Sequence, residues 1–198
     1  LCGIVGEEGS ARESSTGITW YIDPIDGTTN YLYGLPGYAV SIAAVDHEGA
    51  CAGVVYIPAT DELFTAERGG GASMNGEPIH CTTTTDMSLA LVGTGFSYDS
   101  SRSVAQVERA GRVLRTCRDL RRFGAAAADL CYVAAGRLDV YYEEYLSSWD
   151  MAAGELIARE AGCRSGAIDG GPPRPQSLLV SAPALFDPMV ALLRLDHP

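Results

Sequence analysis

The stretch from Trp20 to Tyr31 constrains this chain more than any other. Trp20, Tyr21 and Ile22 read as a strand, which breaks sharply at the next residues. Pro24 fixes a backbone angle and lacks an N–H, while Gly27 opens conformations that a side chain forbids. Asp23 and Asp26 flank Pro24-Ile25, so the turn aims two carboxylates into one small volume. Like charges held that close repel, and a bound divalent cation is the usual reason to tolerate them. Thr28, Thr29 and Asn30 then begin a short helix, whose free N–H groups favour an anion. A hard cation beside such a helix start outlines a phosphate site. Asp-Pro and Asp-Gly also mark ordinary surface turns, so the rest of the chain has to decide.

Along the chain, Gly3–Gly6 reads as the end of a buried strand with Glu7 immediately after it, and residues 10–18 as a loop or hairpin connection. Strands are expected over 38–46, 50–57 and 61–67, with turns at His47-Glu48-Gly49 and Pro58-Ala59-Thr60. Gly69-Gly70-Gly71 leads on through Asn75-Gly76 towards 79–81, which together describes an antiparallel meander. A further strand spans 89–95. Ser101 is expected to cap a helix to Leu114, with Val104, Val107, Ala110 and Leu114 on its buried face. Residues 118–123 read as extended, 125–135 as a helix, and 138–142 as a strand ending at Glu143. Asp150 is expected to cap a helix through Ala161, and 170–175 reads as a surface loop. A strand at 178–180 and a last helix over 184–194 complete the pattern. Strands and helices in blocks indicate a layered α+β domain.

Composition narrows the function. With 198 residues, 46% of them hydrophobic, the chain can bury one core, and a single domain over 1–198 is expected. A formal net charge of −11 argues against nucleic acid or an anionic membrane as partner. All 14 basic residues are arginine, which excludes a Walker-type or Schiff-base lysine. The six cysteines, at 2, 51, 81, 117, 131 and 163, form no C-x-x-C pair. They read as small core residues of a reduced, cytoplasmic protein. His47, His80 and His197 stand apart, so no zinc or catalytic role is expected of them. No apolar run reaches membrane-spanning length, and no stretch reads as a signal peptide.

Glu7, the Asp23/Asp26 pair and Asp150 each follow an apolar segment at its end. Two strand ends and a helix start can converge in a layered fold. With the Ile25 carbonyl and the Thr28 hydroxyl they make an all-oxygen ligand set, suited to Mg2+ or Mn2+ rather than zinc. Shared carboxylates also suit two or more metals about 3.5–4 Å apart.

These residues resemble the inositol monophosphatase family, of the bacterial kind. The resemblance is carried by Gly6-Glu7-Glu8, by Trp20 through Asn30, and by Trp149-Asp-Met-Ala-Ala-Gly154. Arg121-Arg-Phe-Gly-Ala-Ala126 and Asp139-Val-Tyr-Tyr-Glu143 also match in order and spacing, so it covers essentially the whole chain. It implies an αβαβα sandwich and Mg2+-dependent hydrolysis of inositol 1-phosphate or a similar small polyol phosphate by a homodimer. Lithium inhibition goes with that expectation. Glu7, Asp23, Asp26, Asp150 and the Ile25 carbonyl would hold two or three magnesium ions, with Mn2+ as a substitute. Glu7 and Thr28 would polarise the attacking water, and the Gly27 and Thr28 N–H groups would take the phosphate. Ala126 and Glu143 would meet the hydroxyl-bearing part of the substrate. The family carries helices and a mobile metal-site loop ahead of Gly6-Glu7-Glu8. Here the first helical layer is expected to be absent or to lie outside the given sequence.

Several readings compete with this one. Glu143 can also be a solvated strand-end acid, as Glu144 beside it is expected to be. Glu8 points elsewhere than Glu7 in an extended chain. Asp129 and Asp139 read as structural or surface, and Arg121 and Arg122 as solvated. A haloacid dehalogenase-type phosphatase is excluded, because Pro24 stands where its aspartate nucleophile belongs. Thr29-Asn30-Tyr31 differs from the Lys-Glu-Phe of the family's nucleotide phosphatases. A histidinol-phosphate phosphatase of the same family remains open, as does a non-catalytic scaffold with this fold.

Overall fold

The computed structural model describes residues 1–9 and 11–194; Ser10 and His197 lie outside them. An eight-stranded sheet is built from β1 (Gly3–Gly6), β2 (Ala11–Arg12), β3 (Thr19–Asp26), β4 (Ala39–Asp46), β5 (Gly49–Ile57), β6 (Glu62–Glu67), β7 (Gly71–Met74) and β8 (Glu77–Pro78). Its order is β2-β1-β3-β4-β5-β6-β7-β8. The meander from β3 to β8 is antiparallel throughout, as its turn signals require, whereas β1 runs parallel to β3.

The second sheet has five strands: β9 (Leu91–Thr94), β10 (Asp119–Arg121), β11 (Val140–Glu143), β12 (Arg164–Gly166) and β13 (Leu178–Ser181), in the order β10-β9-β11-β13-β12. Helix α1 (Thr28–Leu32) is a single short turn after β3. Helices α3 (Ala126–Ala134) and α4 (Ser148–Glu160) fill the space between the sheets. Their apolar residues share one core with Ala43, Val55 and Phe64 of the first sheet and Leu178 and Val180 of the second. Helices α2 (Ser103–Thr116) and α5 (Phe186–Leu193) cover the far face of the second sheet, where Val113, Met189 and Leu193 meet Val92, Val140 and Leu179. The described residues therefore stack as sheet, helices, sheet, helices, four layers of the expected sandwich.

Small residues set the spacing of these layers. A Cβ on Gly154 would stand 2.8 Å from Leu130 Cβ, and one on Gly53 would stand 3.1 Å from the Ala153 backbone. The Ala-Ala-Gly run of α4 thus lets both α3 and β5 approach closely. That approach fixes where the first turn of α4, carrying Asp150, meets the end of β3.

Several local expectations need correction. Strand β3 does not stop at Ile22. It runs on to Asp26, with Asp23 opposite Ser41 and Asp26 opposite Ala39. Three steps on β3 match two on β4, so one extra residue bulges out around Pro24-Ile25. Positions i and i+3 of a regular strand face opposite sides; the bulge turns Asp23 and Asp26 to the same side. Ser101 is not the cap ahead of α2. Asp99 is, accepting from the Ser101 N–H and leading into a 3-10 turn. The buried face of α2 is Gln106, Ala110 and Val113, while Val104, Val107 and Leu114 are exposed. Asp150 is not an N-cap either: Ser147 is, and Asp150 sits in the first turn, accepting from the Ser147 N–H at 2.7 Å. Strand β12 is an addition that no sequence pattern announces.

Candidate active site

Glu7, Asp23, Ile25, Asp26, Gly27, Thr28, Ala126, Glu143 and Asp150 all line one cleft of about 490 Å³. These nine residues meet there, whereas Glu8, Arg121, Asp129 and Asp139 do not line the cleft. Strand β3 delivers the two aspartates through its bulge, and Glu7 follows the parallel neighbour β1. Asp150 comes from the start of α4, Ala126 from the start of α3, and Glu143 from the end of β11.

The acidic groups crowd each other. Asp23 is 2% exposed, and its carboxyl lies beside those of Glu7 and Asp150. Burial first, and then Glu7, pushes Asp23 up to about 8; the Ile25 N–H, donating to it at 2.9 Å, only partly offsets this. Burial also drives Asp26 well above the usual carboxylate range, against the opposing hydrogen bond from the Ala127 N–H. Asp150 moves the same way, again through burial, with the Ser147 N–H opposing and Glu7 adding to the rise. Among the described residues no three acidic, His or Cys side chains form a ready-made coordination cluster. The donor chemistry nevertheless fits a hard divalent cation. Four carboxylates and the Ile25 carbonyl are all oxygen, and a cation would offset the burial, and the repulsion added to it, that raise Asp23, Asp26 and Asp150.

Gly27 takes φ of 88°, the left-handed conformation that turns β3 into α1. A Cβ there would meet Gly37 O at 2.7 Å and Ala125 Cβ at 3.1 Å, so the position needs glycine twice over. The Thr28 hydroxyl donates to the Ile25 carbonyl at 3.0 Å, closing the turn. Asn30, buried behind it, donates from Nδ2 to Gly37 O at 2.5 Å and to Phe123 O at 2.6 Å. It thereby ties α1 to the segment that enters α3.

The opposite wall holds Glu143, pushed up to about 7 by burial against the opposing effects of the Tyr141 hydroxyl and Arg122. Glu144 is not a freely solvated acid. It also lines the cleft and forms a half-buried ion pair with Arg109 at 2.8 Å. Arg122 lines the cleft too, whereas Arg121 pairs outside it with Asp119 at 2.6 Å. Glu8 is exposed and does not line the cleft. Asp129 and Asp139 are structural and buried, not surface groups. Asp139 accepts from the Thr82 hydroxyl and the Leu91 N–H, while Asp129 Oδ1 has no partner among the described residues.

The rim includes residues that sequence reasoning did not find: Phe96, Ser97 and Tyr98 after β9, and Tyr145 after β11. Arg102 stacks 3.7 Å above the Tyr145 ring. No motif marks them, since only the fold brings these loop side chains to the cleft.

A sequence profile described as the inositol monophosphatase family matches residues 2–194. The chain belongs to the inositol monophosphatase family. That membership places it among phosphoric monoester hydrolases. It is similar to the inositol-1-monophosphatase of Mycobacterium leprae, 43% identical over 206 aligned positions, covering 96% of this chain and 69% of that protein. It is also similar to a Xylella fastidiosa protein called Nus factor SuhB, 46% identical, covering 81% of this chain and 58% of that one. Among solved structures, an inositol monophosphatase from Anabaena superposes with a TM-score of 0.92 at 34% identity, covering 98% of this chain and 78% of the other.

Proposed function

We propose that the protein hydrolyses inositol 1-phosphate, or a similar small polyol phosphate, in a Mg2+-dependent reaction. One observation carries the reading: Glu7, Asp23, Asp26 and Asp150 converge with the Gly27–Thr28 helix start in a single cleft that faces Glu143. Glu7, Asp23, Asp26, Asp150 and the Ile25 carbonyl would hold two or three Mg2+ ions, with Mn2+ as a substitute. When bound, the metal supplies positive charge for the phosphate and the departing alkoxide. The chain's own groups do the rest. Glu7 and Thr28 orient a water in line with the phosphorus, and the Glu7 carboxylate takes its proton. The Gly27 and Thr28 N–H groups bind the phosphate oxygens, as the open first turn of α1 allows. Glu143 and Ala126 hold the polyol. Positioning and charge neutralisation then supply most of the rate.

Cytoplasmic location and lithium inhibition accompany this reading. No described helix is long and apolar enough to cross a membrane. A homodimer is supported by Val104, Val107 and Leu114, an exposed apolar stripe on α2 that a second copy can cover.

A histidinol phosphatase would use the same machinery with a different ester. A second reading, a non-catalytic interaction protein with this fold, is favoured by the relatives that carry the name Nus factor SuhB. Thermal melting in Mg2+ separates the enzyme from the scaffold. The ion should raise the melting temperature of the protein and leave an Asp150→Asn variant unmoved. An equal rise in both would take the metal away from this cleft and with it the proposed reaction.

A further inference from the structure

We propose that Tyr141 and Gly95 are positioning residues that lock the Glu143 carboxylate, and so set a preference for phosphate esters with neighbouring hydroxyls over esters without them. The inference rests on the role given to Glu143 above and extends it to two residues beneath and beside it.

Strand β11 alternates. Val140 and Tyr142 pack into the outer core with α2 and α5, whereas Tyr141 points inward between the sheets. Glu143, two residues on, shares the inward face. The Tyr141 ring is fully buried, and its hydroxyl reaches under the strand end to donate to Glu143 Oε2. A phenol hydroxyl at that depth must find an acceptor, and this carboxylate supplies it. On the neighbouring strand, Gly95 follows Thr94, which pairs in parallel register with Tyr142. Thr94 Oγ1 donates to the Tyr142 carbonyl at 2.9 Å, holding the two strand ends together. A Cβ on Gly95 would overlap Glu143 Oε1, Oε2 and Cδ at once. The carboxyl group therefore rests directly on the Gly95 backbone, a place that any side chain at 95 would deny it.

The consequence is a carboxylate with few choices. One oxygen is engaged from below by Tyr141, and the group lines the cleft opposite Asp23 and Asp26. Its remaining acceptor positions are pre-set for substrate hydroxyls. A buried acceptor built for hydroxyls binds poorly to an ester that lacks them, because the acceptor is desolvated without compensation. Arg122 offsets part of the negative charge around Glu143 without being paired to it.

The test compares inositol 1-phosphate with p-nitrophenyl phosphate, which has no neighbouring hydroxyl. Steady-state constants are measured in Mg2+ for the protein and for Tyr141→Phe, Gly95→Ala and Glu143→Gln. Tyr141→Phe keeps the ring and removes only the hydroxyl. Its kcat/KM for the inositol ester should fall about tenfold, mainly through KM, while the aryl ester changes less than about twofold. Gly95→Ala should show the same split more strongly. Parallel losses on both esters would mean a structural role for the two residues and would overturn the inference. So would an unchanged inositol ester in both variants while Glu143→Gln loses it selectively. A protein that hydrolyses neither ester overturns the phosphatase reading itself, and a Glu143→Gln variant without ester preference overturns the role of Glu143; this inference falls in both cases, for reasons the other arms identify.

Discussion

Asp26 Oδ2 accepts a 2.6 Å hydrogen bond from the N–H of Ala127, joining the end of β3 to the first turn of α3 across 101 residues of sequence. The same carboxylate is buried and faces Asp23 and Asp150, whose charges oppose its ionisation. Structure and chemistry therefore pull apart at this residue. Asp26→Asn keeps an acceptor for Ala127 and removes a carboxyl group whose ionisation the fold opposes. In the absence of metal the variant is expected to be more stable by about 1 kcal/mol, a rise of roughly 2–4 °C in melting temperature. In Mg2+ the order should reverse, because only the parent protein gains from the ion. Melting curves of both proteins in EDTA and in Mg2+ check this.

The pH dependence arises from Asp23. Its carboxyl titrates near 8 in the folded protein, raised by burial and Glu7 from an ordinary value of 3.8. The fold therefore holds a proton that the unfolded chain releases. Below about pH 4 both states are protonated, and the group costs no stability. As pH rises towards 8 the unfolded state gains, so the stability of the metal-free protein should fall through that window and then level off. Asp26 and Asp150 shift the same way and add to the fall. Mg2+ uptake should release protons between pH 5 and 8, with affinity rising over the same range. Calorimetric titrations in two buffers of different ionisation enthalpy count those protons.

Gly27→Ala places a side chain where φ is 88° and where the Gly37 carbonyl leaves only 2.7 Å. Strain and overlap together are expected to cost about 2–4 kcal/mol, read as a lower urea midpoint with unchanged slope. A loss below about 0.5 kcal/mol would show that the β3–α1 turn is more pliable than this geometry.

Asn30→Asp should be nearly as harmful for a different reason. Its Nδ2 donates to two carbonyls, Gly37 O and Phe123 O. A carboxylate there would face both acceptors with a negative charge, at a cost of about 3 kcal/mol. Unfolding in urea measures it. The deficit should shrink below pH 4, where a protonated Asp can donate again.

Asn30 also marks the limit of what is legible in the sequence. The carboxylates are legible because chemistry dictates their type and because each stands at the end of an apolar segment. What Asn30 holds together is not, since Gly37 and Phe123 become neighbours only in the fold. Strand β3 carries the same lesson at shorter range. Pro24 signals a break, and the chain instead absorbs it as a bulge that keeps Asp23 and Asp26 on one face. Helix α2 is legible, but its buried face is not. Val104, Val107 and Leu114 fit the helical period as well as Gln106, Ala110 and Val113 do, and only the packing against the second sheet and α5 chooses between the two faces. Strand β12 gives no signal because Arg164-Ser165-Gly166 is an edge strand without apolar alternation. Glu144 looks like a solvated acid because its partner, Arg109, lies far away in sequence.

The most direct measurement is phosphate release from inositol 1-phosphate and from histidinol phosphate, side by side, with and without Mg2+. Release from the inositol ester that depends on Mg2+ and exceeds that from histidinol phosphate is the expected result. A preference for histidinol phosphate would keep the metal chemistry and contradict the polyol assignment. No release from either ester would contradict the phosphatase reading of this cleft.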